Sequence, residues 1–134
     1  MNNEEFQASR QKLGKTQKQL SELLGTSLKA IQSFEQGWRK VPVHIERQMF
    51  FLLVLHKGRA KEVRPCWDIL ACPPERRREC PAWEFNAGHL CWFINGTFCE
   101  GRTRVSWGSK MKLCRRCRVF RNNVGIAGAR KIAG

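Results

Sequence analysis

Apolar residues along the first 58 positions recur at the three- and four-residue intervals of amphipathic helices, and this spacing fades in the remainder of the chain. Phe6, Arg10 and Leu13 fall at helical spacing, and Gly14 ends the first run. Thr16-Gln-Lys-Gln19 has the form of a capping box, in which the threonine hydroxyl accepts from an unpaired amide and the glutamine reaches back to the cap, so a second helix starts there. Leu20, Leu23 and Leu24 give that helix an apolar face. Gly25-Thr26-Ser27 follows as a short turn, with Gly25 at positive φ and Ser27 capping a third helix that buries Ile31 and Phe34. Gly37 terminates it, Trp38-Arg39-Lys40 forms a basic loop, and Pro42 opens a fourth helix through Ile45 and Met49 toward Leu55. The run from Met49 to Leu55 is apolar on every side, more than one small core needs, which leaves core burial and a dimer interface both open.

Ser21, Gly25 and Ile31 place a small residue at a helix crossing, a glycine in the turn and a β-branched anchor in the core, the spacing of a helix-turn-helix. In the segments Arg10-Gln-Lys-Leu-Gly-Lys-Thr-Gln17, Leu20-Ser-Glu-Leu-Leu-Gly-Thr-Ser27 and Ile31-Gln-Ser-Phe-Glu-Gln-Gly37 the chain resembles the Cro and phage-repressor family of DNA-binding domains. The resemblance implies a buried ion pair between Arg10 and Glu35. It also implies a third helix in the major groove of double-stranded DNA, with Ser27, Leu28, Lys29, Gln32 and Ser33 facing base edges. Gln17, Arg39 and Lys40 would hold phosphates and fix register. Proteins of this kind bind paired half-sites, so a homodimer is expected.

Cysteine chemistry changes the picture beyond residue 63. All seven cysteines lie between Cys66 and Cys117, at Cys66, Cys72, Cys80, Cys91, Cys99, Cys114 and Cys117. No secretory leader or membrane-length apolar run is legible, so a cytoplasmic setting is expected, where clustered thiols bind metal more often than they form disulfides. Cys114-Arg-Arg-Cys117 has chelating spacing, because two intervening residues let both sulfurs reach one ion. A region of this size with few aliphatic residues needs such a site to fold. The segments Cys66-Trp-Asp-Ile-Leu-Ala-Cys72, Cys80-Pro-Ala-Trp83, Cys91-Trp-Phe-Ile-Asn-Gly-Thr-Phe-Cys99 and Cys114-Arg-Arg-Cys-Arg-Val-Phe120 are similar to the bacterial two-CW domain. That resemblance implies a metal-binding or redox-sensing module attached to a regulatory domain.

All seven cysteines are therefore candidate ligands, for zinc or an iron–sulfur cluster, with His89 as a possible eighth. Asn95-Gly96 predicts a two-residue β-hairpin that pairs Trp92 with Cys99 and turns Cys91 and Cys99 to opposite faces, which favours two sites. Disulfides, or a thiol oxidoreductase using Cys114 and Cys117 beside Arg115, Arg116 and Arg118, are alternatives. No acid–base partner for turnover is legible, so catalytic residues are not expected, nor is a small-molecule substrate. Glu75-Arg-Arg-Arg-Glu79 reads as a solvated face.

The fold class expected is a mainly α helix-turn-helix bundle of four or five helices followed by a small, irregular, metal-stabilised domain with a β-hairpin. The boundaries fall at 1–58 for the DNA-binding domain, 59–65 for a linker, 66–120 for the cysteine-rich domain and 121–134 for a basic flexible tail. Over 134 residues, 25 Lys and Arg against 11 Asp and Glu give a formal charge of +14. Residues 1–62 carry 11 of those cations against 6 anions and the rest 14 against 5, so both halves suit a polyanionic partner. The expected function is a sequence-specific transcription regulator with a metal or redox sensor. A metal-stabilised adaptor without sensing is the alternative.

Overall fold

A computed structural model of the chain describes residues 1–58, 64–94, 97, 99 and 106–125. These are mainly helical, and no strand occurs among them. Helix α1 spans Asn3–Lys12 and opens on a capping box between Asn2 and Glu5. Helix α2, Gln17–Leu24, starts at the Thr16–Gln19 box and closes on Gly25 at φ +66°. Helix α3, Leu28–Gln36, is capped by Ser27 Oγ accepting from the Ala30 amide and stops at Gly37. The first core joins Phe6, Leu20, Leu24, Ala30, Ile31, Phe34, Ile45 and Met49, with the Phe6 and Phe34 rings edge to face at 5.6 Å. Leu23, expected on the inner face of α2, is 52% exposed.

Helix α4, Val43–Gly58, resolves the question of its apolar excess. Ile45 and Met49 face the first core, whereas Phe50, Leu53 and Val54 enter a second core with Trp92, Met111, Cys114, Phe120 and Val124. The Phe50 ring meets Trp92 at 5.6 Å and Phe120 at 5.1 Å, both edge to face. A helix gripped from two sides needs apolar residues on both. The helix that ends the first half is thus also a wall of the cysteine-rich half, and residues 59–63 of the expected linker lie outside the described residues.

The second half is built of short pieces: α5 (Cys66–Ile69), α6 (Pro74–Arg77), α7 (Pro81–Glu84), a single 3₁₀ turn (Cys91–Phe93), α8 (Trp107–Cys114) and α9 (Arg118–Asn123). Proline opens α6 and α7, supplying a fixed φ where a helix has no use for the missing N–H. The expected hairpin is corrected in part, because Cys91–Phe93 winds into a 3₁₀ turn instead of a strand; Asn95 and Gly96 lie outside the described residues. The expected tail also begins too early. Arg121 to Asn123 belong to α9, and Asn123 and Val124 are fully buried, Asn123 bonding both the amide and the carbonyl of Arg64. Residues 126–134 lie outside the described residues.

Since Phe50 contacts both halves' shared wall, Phe50→Ala is expected to cost about 3–5 kcal/mol, the range for a deleted core aromatic ring. Urea denaturation followed by far- and near-ultraviolet circular dichroism checks this. Both signals should fall in one transition at lower urea; two separated transitions would mean the halves fold independently.

Candidate metal centre and nucleic-acid interface

The residues expected at the two surfaces are positioned differently, one set by local caps and the other by tertiary packing. At the α2–α3 unit, Arg10 Nε donates to Glu35 Oε2 at 2.6 Å and Nη2 to Oε1 at 3.1 Å, so the ion pair implied by the family resemblance is present. Arg10 Nη1 also holds the Lys15 carbonyl, which fixes the turn between α1 and α2. Gln17 Nε2 donates to Glu35 Oε1 at 3.2 Å, tying the start of α2 to α3. Its side chain is therefore partly committed inside the protein, unlike a free phosphate ligand.

The remaining candidates divide into exposed and locally bonded groups. Leu28, Lys29 and Gln32 are exposed along the outer face of α3. Ser27 is consumed as the helix cap, and Ser33 Oγ donates to the Lys29 carbonyl at 3.0 Å, so neither hydroxyl projects freely. Arg39 and Lys40 are exposed beyond the helix, with the Arg39 guanidinium resting 5.5 Å from the Phe34 ring centre. Trp38 stands among them at 79% exposure. Its sequence position between Gly37 and two cations was the available signal for a loop residue with a large apolar surface.

All seven cysteines line one cavity of about 420 Å³. Its walls include Leu70, Trp92, Leu113, Val119 and Phe120, with Arg76, Arg116 and Arg118 contributing cations. Helix ends bring the thiols there: Cys66 begins α5, Cys80 precedes Pro81 at the start of α7, Cys91 begins the 3₁₀ turn, and Cys114 and Cys117 stand between α8 and α9. Cys91 and Cys99 both line this cavity. His89 is not among the lining residues. No group of three or more His, Cys, Asp or Glu among the described residues stands close enough to hold one ion. The thiols surround a common space instead.

Gly88 fixes the position of Cys66. A Cβ at Gly88 would stand 2.7 Å from both Pro65 and Trp67 side-chain carbons, and the Gly88 carbonyl accepts from the Cys66 amide at 3.0 Å. Trp67 in turn meets Trp83 edge to face at 4.8 Å, and Arg77 lies 5.0 Å from the Trp83 ring centre. With Arg76 on the cavity wall, the expected solvated face of Glu75 to Glu79 is thus partly inward-looking.

Thiol protonation is uneven around the cavity. A hydrogen bond from Cys91 lowers the Cys66 pKa below the ordinary 9.0, despite the opposing effect of burial. The same bond, reinforced by burial, pushes Cys91 well above that value. Burial raises Cys99 as well. Lys110 is buried close by, its Nζ donating to Thr97 Oγ1 at 2.7 Å, and Cys99 Sγ lies 3.8 Å from the same oxygen. Nothing in the spacing around Lys110 marks it as an inward lysine.

Arg115, inside the Cys114–Cys117 turn, points away from the thiols toward the first half. Its Nη1 donates to Glu5 Oε2 at 2.8 Å and its Nη2 to Glu46 Oε1 at 3.4 Å, while Glu46 also pairs with the Met1 ammonium at 3.3 Å. The Cys114–Cys117 turn is thereby bolted to α1 and α4. Comparisons of the chain with protein families, curated proteins and solved structures find no match.

Thiolate is the reactive form of cysteine, so the opposite shifts at Cys66 and Cys91 set an order of labelling. In metal-free protein, iodoacetamide is expected to modify Cys66 ahead of Cys91 as pH rises. Peptide mass spectrometry across pH reads the order, and equal rates at the two sites would contradict the hydrogen-bonded pair.

Proposed function

We propose that the chain is a sequence-specific DNA-binding transcription regulator in which the cysteine cavity is a metal centre that reports metal or redox state to the DNA-reading half. The exposed row Leu28, Lys29 and Gln32 on α3 carries the DNA part of this reading. These side chains stand on a helix whose position is locked by the Arg10–Glu35–Gln17 network. A fixed helix with free polar tips is what base-edge recognition requires. Lys29 donates to guanine, Gln32 pairs with adenine, and Leu28 packs on a thymine methyl, while Arg39 and Lys40 follow the phosphates.

Homodimerisation is part of the reading. Val43, Phe51 and Leu55 lie four or eight residues apart on α4 at 48%, 39% and 50% exposure, a stripe that a second copy would cover. No helix among the described residues is long and apolar enough to cross a membrane. On the sensing side, support comes from α4, which belongs to both cores, and from Arg115, which links the Cys114–Cys117 turn to Glu5 and Glu46. Change in ligation at the turn alters what those contacts hold.

Duplexes selected from a random pool, followed by fluorescence anisotropy, test DNA recognition. Lys29→Ala and Gln32→Ala are each expected to cost about 1–3 kcal/mol on the preferred duplex and relax the choice of one base pair. Lys40→Ala should weaken binding on every sequence and reduce the salt slope by about one. Unchanged sequence preference in the α3 variants would remove α3 as the reading helix.

Coupling has its own measurement. Operator affinity should differ about 5–150-fold between metal-loaded and metal-free protein, the usual range for linked sites. Arg115→Met is expected to shrink that difference without changing metal content. Equal affinities of the two wild-type forms would leave the metal with a structural role alone.

A further inference from the structure

We infer that the cavity holds an iron–sulfur cluster instead of a single zinc ion, with Lys110 as its buried counter-cation and the Trp92 indole as a hydrogen-bond donor toward its sulfur. This deepens the metal-centre reading above and rests on it. Room is the first argument. Four thiolates closing at ~2.3 Å on one zinc leave only an atom-sized space between them. The cavity that these cysteines line is about 420 Å³, far more than one ion occupies. A cluster would suit such a space better, because its thiolates are shared among several irons with inorganic sulfides between them.

The second argument is an orphaned donor. Trp92 is fully buried and lines the cavity, and its Nε1–H has no acceptor among the described residues. A buried N–H without a partner is costly and rare in native proteins. Cluster and thiolate sulfurs accept hydrogen bonds, and such bonds raise the reduction potential.

Charge supplies the third. Lys110 is 2% exposed, its ammonium bonds only a neutral hydroxyl, and no carboxylate pairs with it among the described residues. Cys99 Sγ stands 3.8 Å from the same hydroxyl that the ammonium bonds. Arg76, Arg116 and Arg118 add cations along the wall. Burying an unpaired ammonium is expensive unless an anion stands nearby, and a thiolate-ligated cluster provides one.

The full chain purified without oxygen provides the test. Iron and acid-labile sulfide in equal amounts, with a broad visible absorption that dithionite bleaches, are expected. Colourless protein carrying zinc without sulfide would overturn the cluster and leave the metal-centre reading standing. Protein free of both metals that still binds its operator would overturn both. Trp92→Phe keeps an aromatic ring in the core and removes the N–H, while Lys110→Met removes the charge; each is expected to retain iron and move the midpoint potential to a more negative value. Lys110→Arg should return it toward wild type. Potentials unchanged in both Trp92→Phe and Lys110→Met would overturn the roles assigned to these two residues.

Discussion

The edge-to-face packing of Phe50 against Trp92 and Phe120 makes one helix the common wall of two cores. Units of about 60 residues bury little of their surface and are marginal alone. Here α4 lends each unit one of its faces, so neither has to close its own core. The arrangement also explains why the cavity can be large. The short helices beside its thiols, α5 to α7, have only four residues each and would not hold a shape by themselves. They are tied at one edge to α9 through Arg118 and Ile69, and α9 is tied to α4 through Phe120.

How far the sequence revealed this depends on whether each signal was local. In the first half it was: the Thr16–Gln19 box, the Ser27 cap and Gly25 and Gly37 at positive φ define two helices within a few residues of each boundary. Leu23 was misplaced because Leu20 and Leu24 take the buried face of α2, and period alone does not choose between Leu23 and Leu24. In the second half the useful information was tertiary. Seven irregular cysteine spacings do not disclose one cavity, and Asn95-Gly96 is a turn signal that does not oblige Cys91–Phe93 to be a strand. Lys110 was invisible for the same reason, since a lysine in an eight-residue helix is ordinarily outside.

Net charge looks different once the contacts are known. Read as a total, +14 suggests a polyanion as partner everywhere on the surface. Yet Arg115 is spent on Glu5 and Glu46, Arg47 lies 4.2 Å from the Phe93 ring centre, and Arg76, Arg116, Arg118 and Lys110 gather around thiols. Several cations of the second half thus stand near sulfur, although Arg76, Arg116 and Arg118 also remain open to solvent. Other exposed cations are spread over both halves, at Lys12, Lys15, Lys18, Lys29, Arg39, Lys40, Arg78 and Lys112.

The five tryptophans divide between the two halves. Trp38 stands alone in the first half and in water, whereas Trp67, Trp83, Trp92 and Trp107 lie in the second half, Trp92 on the cavity wall itself. Light emitted by the four in the second half would be open to quenching by any coloured centre among the cysteines, while Trp38 emits at the red end from beside α3. The molecule consequently carries its own pair of lamps, one dimmed by what fills the cavity and one sensitive to what lies against α3.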